Sequence, residues 1–498
     1  MRAVETYEQA IEYLYRRINY ERLSGSAYST ADFKLDRMRE FLDRLGNPQH
    51  DLPVVHIAGT KGKGSTAAMT ASILQQAGYR TGLFTSPHIS RFEERMAVNG
   101  RIPSPEELIS LINEVADVVA DLDRRPGQMG PTYFELSTAL AWLYFRRERA
   151  DIVALEVGMG GRLDATNVCE PVVTAITSIS RDHTRQLGST LGEIAREKAG
   201  IIKPGTPCVS GATAPAAAAV IAEVCAAQQA PLDLLGREFQ YRPAAPRDES
   251  SGAPLPETGR ADNPRWEIEV GRQKDLHLET PLVGDHQGHN LAVTVAILHR
   301  LQERGYQISE QQMQAGLLQL AWPARIEVIG ESPTVIVDAA HNWAAVSALV
   351  RTLDTRWTAR RRILVFAGTQ DKDVAGLLRQ LLPAFDTVIL TAYQSNPRVM
   401  PINELCRLVQ RFGRTAHVVE TPASAWKLAT RWAGRDDLIC VTGSFFIAAE
   451  IREVCLDEQR SELQERSERQ EPLSGTVNTT AGVMTLPDTG SQDRQPGA

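Results

Sequence analysis

Apolar residues recur at two different periods along the 498-residue chain, and the alternation between those periods sets out an architecture. Tyr7, Ile11, Leu14, Tyr15 and Ile18 fall at helical spacing, which predicts an amphipathic first helix. A second helix begins around Lys34-Leu35-Asp36-Arg37-Met38 and stops near Gly46-Asn47-Pro48. Short runs rich in apolar and β-branched residues then appear at Val54–Ala58, Thr81–Thr85, Ile152–Val157 and Val172–Ile176, with helical segments between them. Such continuous runs belong to strands covered on both faces, so the pattern predicts a doubly wound, mostly parallel sheet. The alternation restarts after Trp322-Pro323-Ala324-Arg325, with runs at Thr334–Val337, Ile363–Ala367, Thr387–Leu390 and Leu438–Thr442. The predicted fold class is therefore α/β with two domains. Residues 1–320 form an N-terminal domain around the first sheet, and 321–455 a smaller, Rossmann-like C-terminal α/β domain. Ala212–Ala227 reads as a helix, and the Pro, Ser, Gly and charge-rich stretch 241–265 as a surface insertion loop. Beyond Cys455 a charged run reads as a fraying helix leading into a disordered tail, the tail region as a whole spanning 456–498.

Charge and cysteine usage narrow the function classes. The net charge of −7 gives no broad basic field for a nucleic-acid backbone, so an anionic ligand needs a locally positive pocket. Six cysteines without a Cys-x-x-Cys pair read as reduced thiols of a cytoplasmic protein. Glu5, Glu8 and Glu12 near the N-terminus, and the lack of a long uncharged run, give no signal for secretion or a membrane partner.

The stretch that carries the most chemistry is Pro53-Val54-Val55-His56-Ile57-Ala58-Gly59-Thr60-Lys61-Gly62-Lys63-Gly64-Ser65-Thr66. An apolar run, a glycine turn holding lysine, and hydroxyl residues opening a small-residue helix make a phosphate cradle. Its spacing departs from GxxxxGK[ST]: Ile57 stands where the first glycine belongs, and Gly64 separates Lys63 from Ser65. A plain glycine turn is the alternative reading. Other polar residues gather at predicted strand ends, where ligands of such sheets bind: Ser86, Glu156 and the Asp182-His183 pair. Hard oxygens and an imidazole in that position suit Mg²⁺ beside phosphate. Gly158-Met159-Gly160-Gly161 lacks the third glycine of a dinucleotide fingerprint. Lys198 lies in the last turn of a predicted helix, where a cation complements the dipole without further function.

Taken in order, the strings Gly59-Thr60-Lys61-Gly62-Lys63-Gly64-Ser65, Thr85-Ser86-Pro87-His88, Glu156 to Asn167, Asp182-His183-Thr184, Lys198-Ala199-Gly200-Ile201, Trp322-Pro323-Ala324-Arg325, Asp338-Ala339-Ala340-His341-Asn342 and Thr442-Gly443-Ser444 resemble one family. It is the folylpolyglutamate synthase/dihydrofolate synthase family of Mur-type ATP-dependent amide ligases, and the resemblance implies the bifunctional bacterial type. The resemblance covers about Leu35 to Arg452 without the insertion and tail. It implies ATP contacts from Gly59, Thr60, Gly62, Lys63, Gly64, Ser65, Asn290, Arg325 and Asp338. It implies two Mg²⁺ ions served by Ser86, Glu156, His183 and Lys198, with Lys198 carbamylated, and admits a monovalent cation such as K⁺. Lys63, Lys198, His183 and Arg325 are the implied catalytic set. Thr132, Tyr133, Phe134, Glu135, Leu163, Asp164 and Ala165 match the segments that hold the pterin or folate, and His341 and Ser444 the glutamate. The implied partners are small molecules only (ATP, L-glutamate, dihydropteroate and folates), with the protein a monomer. Two departures stand out: the family loop usually has Asn where Lys61 stands, and its Asp-Gly-Ala-His-Asn-Pro string reads Asp338-Ala339-Ala340-His341-Asn342-Trp343 here. A Mur-type ligase for another carboxylate and a nucleotide-binding regulatory ATPase are the remaining readings.

Overall fold

The computed structural model describes residues 3–23, 35–125, 129–244, 263–271 and 273–468. The chain divides into two compact units, Met1–Cys455 and Leu456–Ala498. Within the first, strands β1 (Val54–Ala58), β2 (Thr81–Phe84), β3 (Met96–Val98), β4 (Ile152–Glu156), β5 (Pro171–Ile176), β6 (Cys208–Ser210) and β7 (Leu232–Leu234) form one sheet. Their order is β3-β2-β4-β1-β5-β6-β7, parallel except for the β2–β3 pair. The next three strands, β8 (Phe239–Pro243), β9 (Arg265–Val270) and β10 (Gln273–Glu279), make a small antiparallel sheet. A third sheet follows from β11 (Glu327–Glu331), β12 (Thr334–Val337), β13 (Arg362–Phe366), β14 (Thr387–Leu390), β15 (His417–Val418) and β16 (Leu438–Thr442). Its order is β11-β12-β16-β13-β14-β15, with only β11 antiparallel to its neighbour.

The continuous apolar runs exist because each strand feeds two cores, one from each face of its pleat. Val54, Val153 and Leu155 pack with Leu136 and Leu140 of helix Tyr133–Arg147, whereas Val55, Ile57 and Ala154 pack with helices Lys63–Gln76 and Asp285–Glu303. The third sheet repeats the arrangement: Ile336, Leu364 and Leu390 enter one core, Val337, Val365 and Ile389 the other. Each such fully buried side chain contributes about 2 kcal/mol.

The 241–265 loop expectation needs correcting at both ends. Tyr241 to Pro243 lie in β8 and Arg265 opens β9; their alternating burial places Trp266, Ile268 and Val270 against helix Asp285–Glu303. The interior of that stretch, 245–262, lies outside the described residues. The tail expectation also shifts, since the helix Phe445–Glu468 continues well past 456, and 469–498 lie outside the described residues. All six cysteines are free, and among the described residues no helix is long and apolar enough to cross a membrane.

Candidate active site

The central strand β1 ends at a backbone that must turn sharply before helix Lys63–Gln76 begins. Gly62 caps that helix at φ +85°, in the left-handed region, and a Cβ there would sit 2.0 Å from Asn290 Oδ1. The loop is held from beneath by the end of β5. Thr60 N–H donates to Ser178 O (2.7 Å), Lys61 N–H donates to Ser178 Oγ (3.0 Å), and Thr177 Oγ1 donates to Lys61 O (2.6 Å). With these bonds closing the underside, the helix N-terminus keeps its unpaired amides for an anion. Gly62→Ala is expected to weaken ADP binding at least tenfold and to cost about 1–2 kcal/mol of stability, because alanine resists this φ and meets Asn290. An ADP titration with a thermal melt checks this, and unchanged affinity would make the Gly62–Asn290 contact dispensable.

A cavity of about 820 Å³ opens over this loop. Every site residue named from the sequence lines it except Tyr133. Tyr133 is 1% exposed, buried in the core and stacked on Tyr15 with ring centroids 5.6 Å apart. Thr132 and Glu135 flank it as the two ends of a capping box, and helical geometry turns position 133 about 100° away from its neighbour, into the core.

At the strand ends, Glu156 is buried, with Ser86 N–H donating to Oε2 (3.0 Å) and Lys63 Nζ 3.7 Å from Oε1. Burial pushes this carboxyl up, and the Lys63 ammonium opposes that. Lys198 is not the exposed helix-end cation that the local sequence allows. It is 4% exposed and its Nζ donates to Gly59 O at 2.9 Å. Burial first, and then the Lys63 charge, pull its ammonium down to about 7. His183 stands at φ +49° after Asp182, with its side chain 40% exposed at the cavity wall. Among the described residues no three His, Cys, Asp or Glu side chains gather as a ready cation cage. The donor set, one buried carboxylate and a hydroxyl beside a phosphate loop, matches the way Mg²⁺ is held jointly with substrate phosphates.

Arg325 and Asp338 reach the same cavity from the segments bordering β11 and β12. The guanidinium lies 5.8 Å from the Phe445 ring centroid and donates to Ala324 O (3.1 Å). Asp338 accepts from Ile326 N–H (2.9 Å) and Ala340 N–H (2.8 Å), which leaves each oxygen one further acceptor direction. His341 Nδ1 pairs with Ala339 O (2.9 Å), and Ser444 Oγ accepts from Ile447 N–H (3.2 Å) at a helix start. Asp164 uses its carboxylate internally, accepting from Met159 N–H (2.8 Å) and Thr166 N–H (3.0 Å), so it shapes the Gly158–Gly161 turn. Within that turn, a Cβ on Gly158 would come within 2.4 Å of Phe134 Cζ, so the glycine is there to admit the ring.

Sequence reasoning did not anticipate one cluster. Lys61 Nζ and Lys372 Nζ bind the two oxygens of Asp182, at 2.8 and 3.1 Å, and Lys61 Nζ lies 3.4 Å from His341 Nε2. The two ammonium groups hold the Asp182 carboxyl far below its usual range despite burial. Lys61, Lys63, Lys198, Arg325 and Lys372 thus gather at one cavity, where Glu156, Asp164, Asp182 and Asp338 offset part of their charge and the loop's cations supply the local attraction that an anion needs on an acidic chain.

This architecture has a class. Residues 57–298 match the Mur ligase middle domain, and residues 324–445 the Mur ligase glutamate ligase domain. Within that class, a Bacillus subtilis dihydrofolate synthase/folylpolyglutamate synthase is 36% identical over 84% of this chain and 94% of its own length. The Escherichia coli protein of the same name is 32% identical over 87% of this chain and 93% of its own. The solved structure of E. coli FolC in complex with DHPP and ADP superposes with a TM-score of 0.77 at 30% identity, covering 92% of this chain and 100% of that one. Mycobacterium tuberculosis folylpolyglutamate synthase complexed with ADP and AMPPCP gives a TM-score of 0.78 at 31% identity, over 90% of this chain and 98% of that one. The chain belongs to the dihydrofolate synthase/folylpolyglutamate synthase family.

Proposed function

We propose that the protein joins L-glutamate to dihydropteroate and to folates or their polyglutamates, consuming ATP and releasing ADP and phosphate through an acyl phosphate. One observation carries this reading: the phosphate loop, the Lys63–Glu156 pair, Lys198, Arg325 and the Thr132–Phe134–Glu135 segment all open on a single cavity. A free carboxylate resists attack by an amine, so the acceptor's carboxylate takes the γ-phosphoryl of ATP first. The glutamate amine then attacks the activated carbonyl and phosphate leaves.

In this reading Gly59, Thr60, Gly62, Gly64 and Ser65 cradle the phosphates, while Lys63 and Arg325 offset the charge on the phosphoryl in flight. Asn290 and Asp338 hold the nucleoside end. Ser86 and Glu156 fit one Mg²⁺, and Glu156, His183 and a carbamylated Lys198 a second. When bound, these ions neutralise the phosphoryl oxygens and align them for in-line transfer. A monovalent cation such as K⁺ is the one further ion the site admits. Thr132, Phe134, Glu135, Leu163, Asp164 and Ala165 wall the pterin or folate, and His341 and Ser444 face the incoming glutamate. We assign 1–320 to the ATP-binding domain, 321–455 to the glutamate ligase domain and 456–498 to a tail, in a cytoplasmic monomer.

The purified protein should release phosphate only when L-glutamate and a pteroate or folate acceptor are both present. Hydrolysis indifferent to both would point to a regulatory ATPase, and turnover with a different carboxylate to another ligase of the class. Mass spectra of the products from dihydropteroate and from tetrahydrofolate should each show one added glutamate. Failure with dihydropteroate alone would remove the first activity and leave the second.

A further inference from the structure

Helix Leu35–Arg44 brings Arg37 to the cavity wall beside Glu135. Its Nε–H is shared between the two oxygens of Glu135, at 2.9 Å each, with the side chains 13% and 7% exposed. Glu135 Oε2 is already taken by Thr132 N–H and Thr132 Oγ1–H, both at 2.8 Å, so the pair is fixed to the start of helix Tyr133–Arg147. Two things are left over. Among the described residues Arg37 Nη1 and Nη2 have no protein partner, and they are not sealed from the cavity. Among the described residues Glu135 Oε1 carries only the shared Nε–H bond, and it keeps acceptor capacity.

The charges on this pair cancel, so it does not offer the net positive field that would hold a carboxylate or phosphate. It offers adjacent donors and an acceptor in a fixed plane, next to the apolar surfaces of Phe134, Leu163 and Ala165. That combination suits a flat, uncharged heteroaromatic ring whose edge carries a carbonyl, a ring nitrogen and an amino group.

We propose that Arg37 is a specificity-determining residue that binds the 2-amino-4-oxo edge of the acceptor's ring: its outer Nη–H groups donate to the ring carbonyl, and Glu135 Oε1 accepts from the adjacent ring N–H and amino group. The inference rests on the reading that the acceptor is a pteroate or folate. Arg37→Lys keeps a cation for Glu135 but lacks the outer edge, and Arg37→Gln lacks the charge as well. In the full chain, both should raise KM for dihydropteroate roughly ten- to a hundredfold, with KM for ATP and for glutamate within about twofold of the parent. Fluorescence titration with 6-methylpterin, a neutral ring without tail or carboxylate, should show a matching loss of affinity. Unchanged 6-methylpterin binding in both variants, or equal losses for all three substrates, would overturn the role of Arg37 and leave the ligase reading intact. The opposite failure is also visible: 6-methylpterin binding that depends on Arg37, without phosphate release on dihydropteroate and glutamate, would sink the ligase reading alone.

Discussion

Lys198→Ala is expected to lower kcat roughly 10²- to 10³-fold, the size of effect that follows loss of one group organising charge at a reacting centre. A lysine 4% exposed, bonded among the described residues only to Gly59 O and close enough to Lys63 to feel its charge, is costly as an ammonium. Burial and that neighbour draw it down to about 7, so near neutral pH much of it is a free amine. A neutral Nζ can attack CO₂; an N–C bond forms, a proton leaves, and a cation becomes an anionic oxygen donor beside the phosphate loop. As pH falls through about 7 the amine takes up its proton, carbamate formation stops, and activity should drop more steeply than substrate ionisation explains. Added bicarbonate should offset part of that drop in the parent and do nothing for the alanine variant. Short carboxylates such as acetate should restore some activity to Lys198→Ala by supplying the missing oxygens. Unchanged kcat in the variant would rule out a metal-site role for Lys198.

What the sequence disclosed and what it withheld divide along physical lines. Strands β1, β2, β4, β5, β12, β13, β14 and β16 were legible because each feeds a core on both faces and so reads as an apolar run. The edge strands β3, β7, β11 and β15 are short or half polar, so no continuous apolar run announces them. In β9 the alternation of Trp266, Ile268 and Val270 was present, but the polar composition of the preceding stretch hid it. The phosphate loop, Glu156 and Arg325 could be found because backbone geometry forces particular residue types into particular orders. The Lys61–Asp182–Lys372 cluster could not, since its ion pairs join positions 121 and 190 residues apart and exist only once the strand ends have converged. Tyr133 failed for the reverse reason: its string was legible, but one step along a helix separates a cavity residue from a core residue.

Arg325→Ala should cost roughly 10³-fold in kcat, in the range of cations that act on a phosphoryl group in transit. The residue is held by a backbone that no unconstrained chain would choose. Ala324 has φ +54° and Ile326 has φ +51°, and for a β-branched residue the left-handed region costs about 1–3 kcal/mol. Three sets of bonds keep it there. Ala324 N–H donates to Glu327 Oε2 (2.8 Å), Ala339 N–H donates to Ala324 O (3.1 Å), and Ile326 N–H donates to Asp338 Oδ2 (2.9 Å). Glu327 is itself anchored by Arg452 at 2.7 Å. The strained pair thus fixes the direction of the side chain between them, which lines the cavity above the phosphate loop. Burial pushes the Arg325 guanidinium down, while Asp338 and Glu156 draw it up, so deletion also removes a desolvated charge. Catalysis should therefore fall with little loss of Tm, a split that steady-state kinetics and a thermal melt resolve together. Arg325→Lys should recover only part of kcat, because an ammonium on a flexible stem lacks the planar fork that meets two phosphoryl oxygens at once. Full activity in either variant would mean that the backbone strain at Ala324 and Ile326 serves something other than aiming this side chain.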